Sequence, residues 1–219
     1  MELASERVDD AMEDRGKIKR GAVILAGGDS KRLGRPKGLL DFNGQTLVGL
    51  VAGKLLEFFQ EITVVTDRPD LYEFLPARIT GDLLTENQKS SLRGIHAGLS
   101  ASNLPYQFVA ACDLPFLNLE LIKYMSGFAP DFDAVVPRIG SYYQPLHAFY
   151  KRSCIDIIER QVRSGHYKVT DFYDHIKIKF ITLPEVQRFD PEQQAFININ
   201  TWNDYEQALE IIAGERESS

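Results

Sequence analysis

Short runs of β-branched and apolar residues alternate with segments of helical spacing, and this alternation constrains the fold more than any other feature. The strand candidates are residues 21–26, 62–66, 108–112, 134–137, 146–150, 178–183 and 196–199. The helix candidates are residues 46–59, 92–101, 119–125, 153–163, 169–175 and 202–212, with Asn118 and Thr201 as expected N-caps. Strands of the first half are apolar throughout, as in a parallel sheet buried on both faces, whereas the second half predicts mixed pairing. We expect one α/β domain with a mostly parallel sheet.

The bulk properties of the chain exclude several classes of function. A net charge of −6 over 219 residues argues against general binding to nucleic acid or to an anionic membrane. No apolar run approaches the length of about 18 residues that a transmembrane helix needs. Two cysteines, Cys112 and Cys154, are too few for a disulfide framework, so a reducing cytoplasm is the simplest assignment. We expect a flexible acidic N-terminal arm over residues 1–18, a domain over residues 19–213 and a C-terminal tail over residues 214–219.

The first strand candidate runs into a glycine hinge and then into a cluster of positive charge. Gly27 and Gly28 directly follow the strand, and glycines there let backbone N–H groups approach a ligand closely. Four cations that can neutralise a polyphosphate come next: Lys31, Arg32, Arg35 and Lys37. The spacing matches neither the P-loop nor the dinucleotide-binding fingerprint. We interpret the segment as a nucleotide site, and the alternative is an ordinary turn followed by a solvated basic loop.

Two further polar positions are expected at the same edge of the sheet, because ligands bind where parallel strands end. Asp113 directly follows the strand of residues 108–112, and a carboxylate at that position suits Mg²⁺. Asn198 and Asn200 are two residues apart on an extended segment, so their side chains point to one face and can bind a metal or orient a phosphate. The alternative for each position is turn or capping chemistry.

Asp82 and the polar stretch after it are candidates for contacts with a base and with phosphates. A carboxylate accepts from guanine N1–H and the exocyclic amine together, a pair of donors that adenine does not present. A solvated loop acid is the alternative for Asp82. Lys89 and Arg93 either contact phosphates or are exposed cations at the start of a helix. We interpret His96 and His147 as structural.

Several of these motifs together resemble the molybdenum cofactor guanylyltransferases, a family of nucleotidyltransferases. The resemblance covers about residues 20–212 and rests on LAGGxSxRLGxxKG from Leu25, KGLL from Lys37, DLPF from Asp113, PLHA from Pro145 and FxNxNT from Phe196. It implies a Rossmann-like three-layer α/β/α fold and transfer of GMP from GTP to the terminal phosphate of molybdopterin, with release of pyrophosphate and with Mg²⁺ as cofactor. Recipient molybdoenzymes or other cofactor-biosynthesis proteins are implied as further partners.

The resemblance also assigns roles to residues of this chain. The catalytic residues would be Lys37, Arg32 and Asp113, with Asp113 as the metal ligand. The substrate-binding residues would be Leu25, Ala26, Gly27, Gly28, Lys37, Thr66, Asp82, Asp113, Asn198 and Asn200. Among these, the backbone of residues 25–27 would contact guanine and ribose, Lys37 phosphate and Asp82 the guanine edge. Apart from the resemblance, candidates for the pterin pocket come from the half of the chain that we expect to cover the sheet edge: Arg138, Tyr142, Gln144, His147 and Lys168.

The chain departs from the family pattern at two places. Thr66 stands where the family often has Asn, and it offers a hydroxyl in place of an amide. Residues 90–95 read SSLRGI, in place of the commoner Gly-Pro-Leu-x-Gly.

Two other functions remain as alternatives. The chain could be a cytidylyl- or other nucleotidyltransferase that acts on molybdopterin or on another small phosphate, or a non-catalytic module that delivers the cofactor. Asp82 favours guanine over cytosine, and the resemblance adds that Gly27-Gly28 stands where cytidylyl members tend to have Ala-Gly. The presence of Lys37 together with Asp113 favours catalysis over delivery.

Overall fold

A computed structural model describes residues 20–27, 33–84 and 88–217, with side chains described as far as residue 214. The strands in these ranges are β1 (Gly21–Leu25), β2 (Asp41–Phe42), β3 (Gln45–Thr46), β4 (Glu61–Val65), β5 (Arg78–Thr80), β6 (Tyr106–Ala111), β7 (Ala134–Ile139), β8 (Tyr142–Tyr143), β9 (His147–Lys151) and β10 (Ile178–Thr182). The α-helices are α1 (Leu47–Leu56), α2 (Ser91–Ser100), α3 (Leu119–Ser126), α4 (Ile155–Arg163), α5 (Leu183–Gln187) and α6 (Trp202–Glu217). The predicted N-terminal arm lies outside the described residues.

The central sheet has eight strands within the described ranges, in the order β10-β7-β9-β6-β1-β4-β5, with β8 paired to β7. The pairs β6–β1, β1–β4, β4–β5 and β7–β10 are parallel, whereas β9 is antiparallel to both of its neighbours. Leu25 of β1 lies opposite Val65 of β4 and Ala111 of β6, so three neighbouring strands end at the same level. The chain passes from β1 to β4 and β5 on one side and returns to β6 on the other, which makes β1 the topological switch point.

Helices cover both faces of this sheet, as the alternating side chains of β1 require. Ala22 and Ile24 pack on the face covered by α1 and α3, and Val23 and Leu25 pack on the opposite face, covered by α2 and α4. The predicted three-layer α/β/α fold with a mostly parallel sheet is therefore confirmed. None of the helices in the described residues is long and apolar enough to cross a membrane.

A smaller apolar cluster lies beside the sheet and connects distant parts of the chain. It contains Leu33, Leu40, Phe42, Leu47, Ile199 and Ala208. Leu33 and Leu40 lie on either side of Lys37 in the sequence, and Ile199 directly precedes Asn200, so the cluster holds the segment that contains Lys37 close to the segment that contains Asn200.

Several predicted elements differ from the structure. The strand predicted over 196–199 is wrong, because Gln194–Phe196 forms a 3-10 helix and the Ile199 N–H donates to the Asp113 carbonyl, 3.1 Å away, and not to a sheet neighbour. Residues Val169–His175 form a 3-10 helix, not an α-helix. The short elements β2, β3, β5, β8 and α5 were not predicted. Helix α6 continues to Glu217, beyond residue 214, where the sequence predicts the start of the tail.

Candidate active site

Four adjacent parallel strands bring polar side chains and a glycine-bearing stretch of backbone to one edge of the sheet. Ala26 and Gly27 follow β1, Thr66 follows β4, Asp82 follows β5, and Asp113 follows β6. These residues line a cleft of about 640 Å³ at the carboxyl ends of the strands. Of the predicted site residues, the structure places Leu25, Ala26, Gly27, Lys37, Thr66, Asp82, Asp113, Asn198 and Asn200 in its lining. Gly28 and Arg32 lie outside the described residues.

Lys37 lies between two of the other predicted residues. Its ammonium Nζ donates to Asp113 Oδ2 at 2.9 Å and to Asn200 Oδ1 at 2.6 Å. Lys37 begins the 3-10 turn Lys37–Leu39, and the next residue, Gly38, is buried so closely that a Cβ there would meet Tyr72 and Val48 at 3.3 Å. Tight packing of this turn therefore fixes where the lysine leaves the backbone.

Among the described residues, only one of the two carboxylate oxygens of Asp113 has a hydrogen-bond donor. Its side chain is 13% exposed, and Oδ2 accepts from Lys37. Oδ1 is buried and has no hydrogen-bond partner among the residues that the structure describes. A buried carboxylate oxygen without a partner is unfavourable unless a ligand satisfies it.

The segment of residues 198–201 presents both asparagines to the cleft although it is not a strand. Ile199 between them is fully buried, so Asn198 and Asn200 point the other way. The backbone N–H groups of Asn200 and Thr201 donate to the Asp204 carboxylate at 2.9 and 2.8 Å, which lowers the pKa of Asp204. The Thr201 hydroxyl accepts from the Asp204 N–H at 3.2 Å, so Thr201 caps α6 as predicted. Thr201 and Asp204 therefore cap α6, and the Asn200 side chain takes no part in the capping and binds Lys37 instead.

Backbone around β1 and β4 forms the other wall of the cleft. Ala26 N–H donates to the Val65 carbonyl at 2.9 Å, and the Ala26 carbonyl accepts from the Tyr72 hydroxyl at 3.4 Å. The Thr66 hydroxyl accepts from the Arg68 N–H at 3.1 Å, and burial leaves the residue only 3% exposed. Accepting this bond leaves the Thr66 hydroxyl its O–H donor and a second lone pair for a ligand.

Asp82 reaches the cleft because β5 extends the parallel sheet beyond β4. Its side chain is 27% exposed, and burial raises the pKa of its carboxyl, an effect that the nearby Arg93 charge opposes. Arg93 itself is buried, with a side chain only 8% exposed, and is absent from the described lining of the cleft. The sequence predicts Arg93 to be either an exposed cation or a phosphate contact. Its buried position, outside the described lining of the cleft, agrees with neither.

Five residues that line the cleft lie outside the motifs that the sequence singled out or were given no role there: Val65, Asp67, Tyr72, Ala111 and Cys112. Six others lie within those motifs, although no individual role is predicted for them: Pro36, Gly38, Ser90, Ser91, Gly94 and Leu146. Asp67 directly follows Thr66 at the end of β4, so its position after a strand was a usable signal. It forms an ion pair with Lys89, which also lines the cleft. Burial raises the pKa of the Cys112 thiol to about 12, so this thiol is not a nucleophile at neutral pH.

The candidates for a pterin pocket are not part of this cleft. None of the five lies in its described lining. His147 is 1% exposed and lies between the rings of Phe108 and Phe196, with centroids 5.0 Å away in each case. This burial agrees with the prediction that His147 is structural. It disagrees with the prediction that His147 contacts a pterin directly.

A Rossmann-like sheet whose switch point opens into a polar cleft is a usual site for nucleotides, and the match to a family of NTP transferases identifies the chain as a nucleotidyltransferase. A family model described as a MobA-like NTP transferase domain matches residues 22–177. The chain belongs to the MobA-like NTP transferase family.

Individual relatives extend the match over nearly the whole chain. A molybdenum cofactor guanylyltransferase from Syntrophotalea carbinolica is 33% identical over 187 residues, which cover 84% of this chain and 88% of that protein. Another from Desulfosudis oleivorans is 33% identical over 196 residues, which cover 89% and 96%. The crystal structure of molybdopterin-guanine dinucleotide biosynthesis protein A from Archaeoglobus fulgidus superimposes with a TM-score of 0.77 at 28% identity, covering 89% of this chain and 99% of that one.

Proposed function

We propose that this chain transfers GMP from GTP to the terminal phosphate of molybdopterin and releases pyrophosphate. The observation that carries the proposal is the Lys37 ammonium, held by Asp113 and Asn200 at the carboxyl edge of the sheet, beside the glycine-bearing end of β1. The names of relatives that are 33% identical over most of the chain support the same activity. GTP and molybdopterin are accordingly the proposed substrates.

The two ends of the cleft would bind different parts of GTP. Asp82, after β5, would accept from guanine N1–H and the exocyclic amine, and the backbone of residues 25–27 would contact the base and ribose. Lys37 would bind the phosphates, with the Asn198 and Asn200 amides on the same side of the cleft. Arg32 would add a second cation, and Gly28 would continue the backbone contact.

The chemical step requires little acid–base chemistry from the protein. An oxygen of the acceptor phosphate forms a bond to the α-phosphorus of GTP, and the bond from that phosphorus to the bridging oxygen breaks, so its electron pair leaves with pyrophosphate. A phosphate nucleophile is ionised near neutral pH, so no general base is needed. Catalysis then depends on positioning and on neutralisation of charge, which dominate phosphoryl transfer. Lys37 supplies a cation whose position two partners fix before substrate binds.

We infer that the cofactor is Mg²⁺ and that Asp113 holds it. The donor set fits, because Asp113 Oδ1 is buried and without a partner among the described residues, and a carboxylate oxygen is a hard ligand. The described residues contain no cluster of three or more His, Cys, Asp or Glu side chains placed to bind a metal. One carboxylate plus substrate phosphates is a usual environment for Mg²⁺. When bound, Mg²⁺ would neutralise charge on the phosphates.

An assay of pyrophosphate release across the ribonucleoside triphosphates, with molybdopterin supplied, tests the proposal. We expect turnover with GTP and molybdopterin together, loss of turnover when either is omitted or Mg²⁺ is chelated, and a product with the mass of the guanine dinucleotide. Preference for CTP would indicate the cytidylyl alternative. Binding of molybdopterin without any pyrophosphate release would indicate the delivery module.

A further inference from the structure

The Arg93 guanidinium is one of the few charged groups in the described structure that is almost fully buried. The residue lies in the first turn of α2, where Ser90 caps the helix and accepts from the Arg93 N–H at 3.3 Å. Its side chain is 8% exposed. A guanidinium cannot lose its charge in a protein, so burial on this scale is tolerated only when acceptors surround it.

The acceptors that the described residues offer to Arg93 belong to the segment that connects β5 to α2. Nη2 lies 3.3 Å from Asp82 Oδ2 and also donates to the Leu84 carbonyl, and Nη1 donates to the Gln88 carbonyl at 3.1 Å. These contacts involve one side chain, Asp82, and two backbone carbonyls, those of Leu84 and Gln88. The Arg93 side chain therefore holds Asp82, Leu84 and Gln88 against the first turn of α2.

We propose that Arg93 is a positioning residue for selection of the base, because it holds the Asp82 carboxylate as a charged acceptor that faces the cleft. The proposal rests on the proposed use of GTP. Selecting guanine requires two acceptor oxygens at fixed positions, because N1–H and the exocyclic amine are both donors. A rotated Asp82, or a protonated one that presents a donor, would lose one of these contacts.

Charge around Asp82 also favours this role. Burial raises the pKa of the Asp82 carboxyl, and Asp67 raises it further, whereas Arg93, Lys89 and His96 lower it. Arg93 has the strongest lowering effect of these groups. Arg93 thus acts on Asp82 through both orientation and ionisation, while it does not itself line the cleft.

The ratio of kcat/KM for GTP to kcat/KM for ITP tests this role, because inosine lacks the exocyclic amine. We expect the wild-type chain to prefer GTP by roughly 10- to 100-fold, the range of one hydrogen bond to a charged group. Arg93→Met keeps an unbranched stem and removes the charge and the donors, and we expect it to lower the ratio by about tenfold or more, toward equal use of the two nucleotides. An unchanged ratio in a folded Arg93→Met protein would overturn the proposal.

A double-mutant cycle distinguishes positioning of Asp82 from a general structural effect. Asp82→Asn should lower the ratio on its own, and adding Arg93→Met to Asp82→Asn should change it by less than about twofold, because the two residues act as a unit. An equal further loss in the Asp82→Asn background would contradict action through Asp82. Arg78→Met is the matched control: Arg78 donates to the Ala101 carbonyl at the other end of α2, at 2.6 Å, and its replacement should leave the ratio unchanged.

A second variant covers the case in which Arg93→Met does not fold. Arg93→Lys retains the charge but cannot reach three acceptors with a planar fork, so we expect the ratio to fall by about threefold or more. A wild-type ratio in Arg93→Lys would then overturn the proposal. Failure of the proposed function is distinguishable, because the wild-type chain would then show no turnover of GTP with molybdopterin.

Discussion

Lys37 Nζ lies 2.9 Å from Asp113 Oδ2, although 76 residues separate the two in the sequence. Lys37 follows the first strand and Asp113 follows β6, and these two strands are parallel neighbours in the sheet. The same ammonium donates to Asn200, 163 residues further along the chain. A cation that is fixed in this way needs little reorganisation when charge develops on a phosphate, which is how preorganised electrostatic groups lower a barrier.

The first prediction concerns Asp113. Asp113→Asn keeps the shape of the side chain and removes its charge, and we expect kcat to fall by about 100-fold or more, the usual cost of losing one preorganised electrostatic contact. Pyrophosphate release at increasing Mg²⁺ measures this. Asp70→Asn is the control, because Asp70 is exposed and does not line the cleft. Turnover of Asp113→Asn close to wild type at saturating Mg²⁺ would show that Asp113 does not hold the metal.

The parts of the site that were predictable follow from strands with a strong apolar pattern. Strands β1, β4 and β6 are almost entirely buried runs of five or six residues, and the residues that follow them lie at one sheet edge because the three strands pair in parallel: Ala26 and Gly27 after β1, Thr66 after β4 and Asp113 after β6. Asp113 and Lys37 were assigned to the same site for this reason. The caps Asn118 and Thr201 were also predictable, because short polar side chains before an apolar periodic segment favour that role.

The parts that were not predicted are short or depend on tertiary contacts. Strand β5 has only three residues, so no periodicity identifies it, yet it places Asp82 in the cleft. The β2–β3 hairpin had a usable signal, because Asn43 and Gly44 have positive φ values of 58° and 84° and Asn-Gly is typical of tight hairpin turns. Burial of Arg93 had no signal, because it depends on how the connection after β5 folds back onto α2.

The second prediction concerns the pH dependence of GTP use. The raised pKa of Asp82 means that its carboxylate becomes protonated at a higher pH than an ordinary aspartate, whose pKa is about 3.9. We therefore expect kcat/KM for GTP to fall as the pH is lowered through this raised pKa, since the protonated acid loses an acceptor.

Asp82→Asn isolates this effect from other titrating groups. Arg93, Asp67, Lys89 and His96 face Asp82, and the substrates titrate as well, but all of these remain in the variant. The ratio of wild-type to variant kcat/KM should decline toward acid pH. A ratio that is independent of pH would contradict a role for the ionised Asp82 carboxylate.

The third prediction concerns the contribution of His147 to stability. Burial lowers the pKa of this imidazole to about 3, and neither ring nitrogen has a hydrogen-bond partner among the described residues. An unfolded histidine has a pKa of about 6.5, so between that pH and about pH 3 the unfolded state binds a proton that the folded state does not. The contribution of neutral His147 to the free energy of unfolding is fully present above the pKa of the unfolded state. It is lost as the pH falls below that pKa, by at most about 1.4 kcal/mol per pH unit.

His147→Leu should remove this acid sensitivity. We expect the free energy of unfolding of the variant, from urea titrations at a series of pH values, to depend less steeply on pH than that of the wild type below about pH 6.5. Phe149→Leu is the control, because Phe149 is buried in the same strand and has no titratable group, so its replacement should lower stability without changing the slope. Equal slopes for His147→Leu and the wild type would mean that the folded state protonates His147 as readily as the unfolded state does.

The fourth prediction concerns the contact between α2 and β1, which sets the position of the glycine-bearing strand end. A Cβ at Gly98 would overlap Val23 Cγ1 and lie 2.8 Å from Val23 Cγ2. Gly53 in α1 has no atom within 4 Å of such a Cβ. Glycine to alanine within a helix normally gains about 1 kcal/mol, whereas overpacking a core costs about 1–3 kcal/mol and more when backbone has to move.

The two substitutions should therefore change stability in opposite directions. We expect Gly53→Ala to raise the free energy of unfolding in guanidinium chloride by up to about 1 kcal/mol, and Gly98→Ala to lower it, because α2 can clear Val23 only by moving away from the sheet. Gly98→Ala should also reduce turnover, since Val23 lies in the strand that ends at Leu25. Adding Val23→Ala to Gly98→Ala should recover part of the loss because it removes both methyl groups that clash. A stabilised Gly98→Ala would show that the helix can shift without cost.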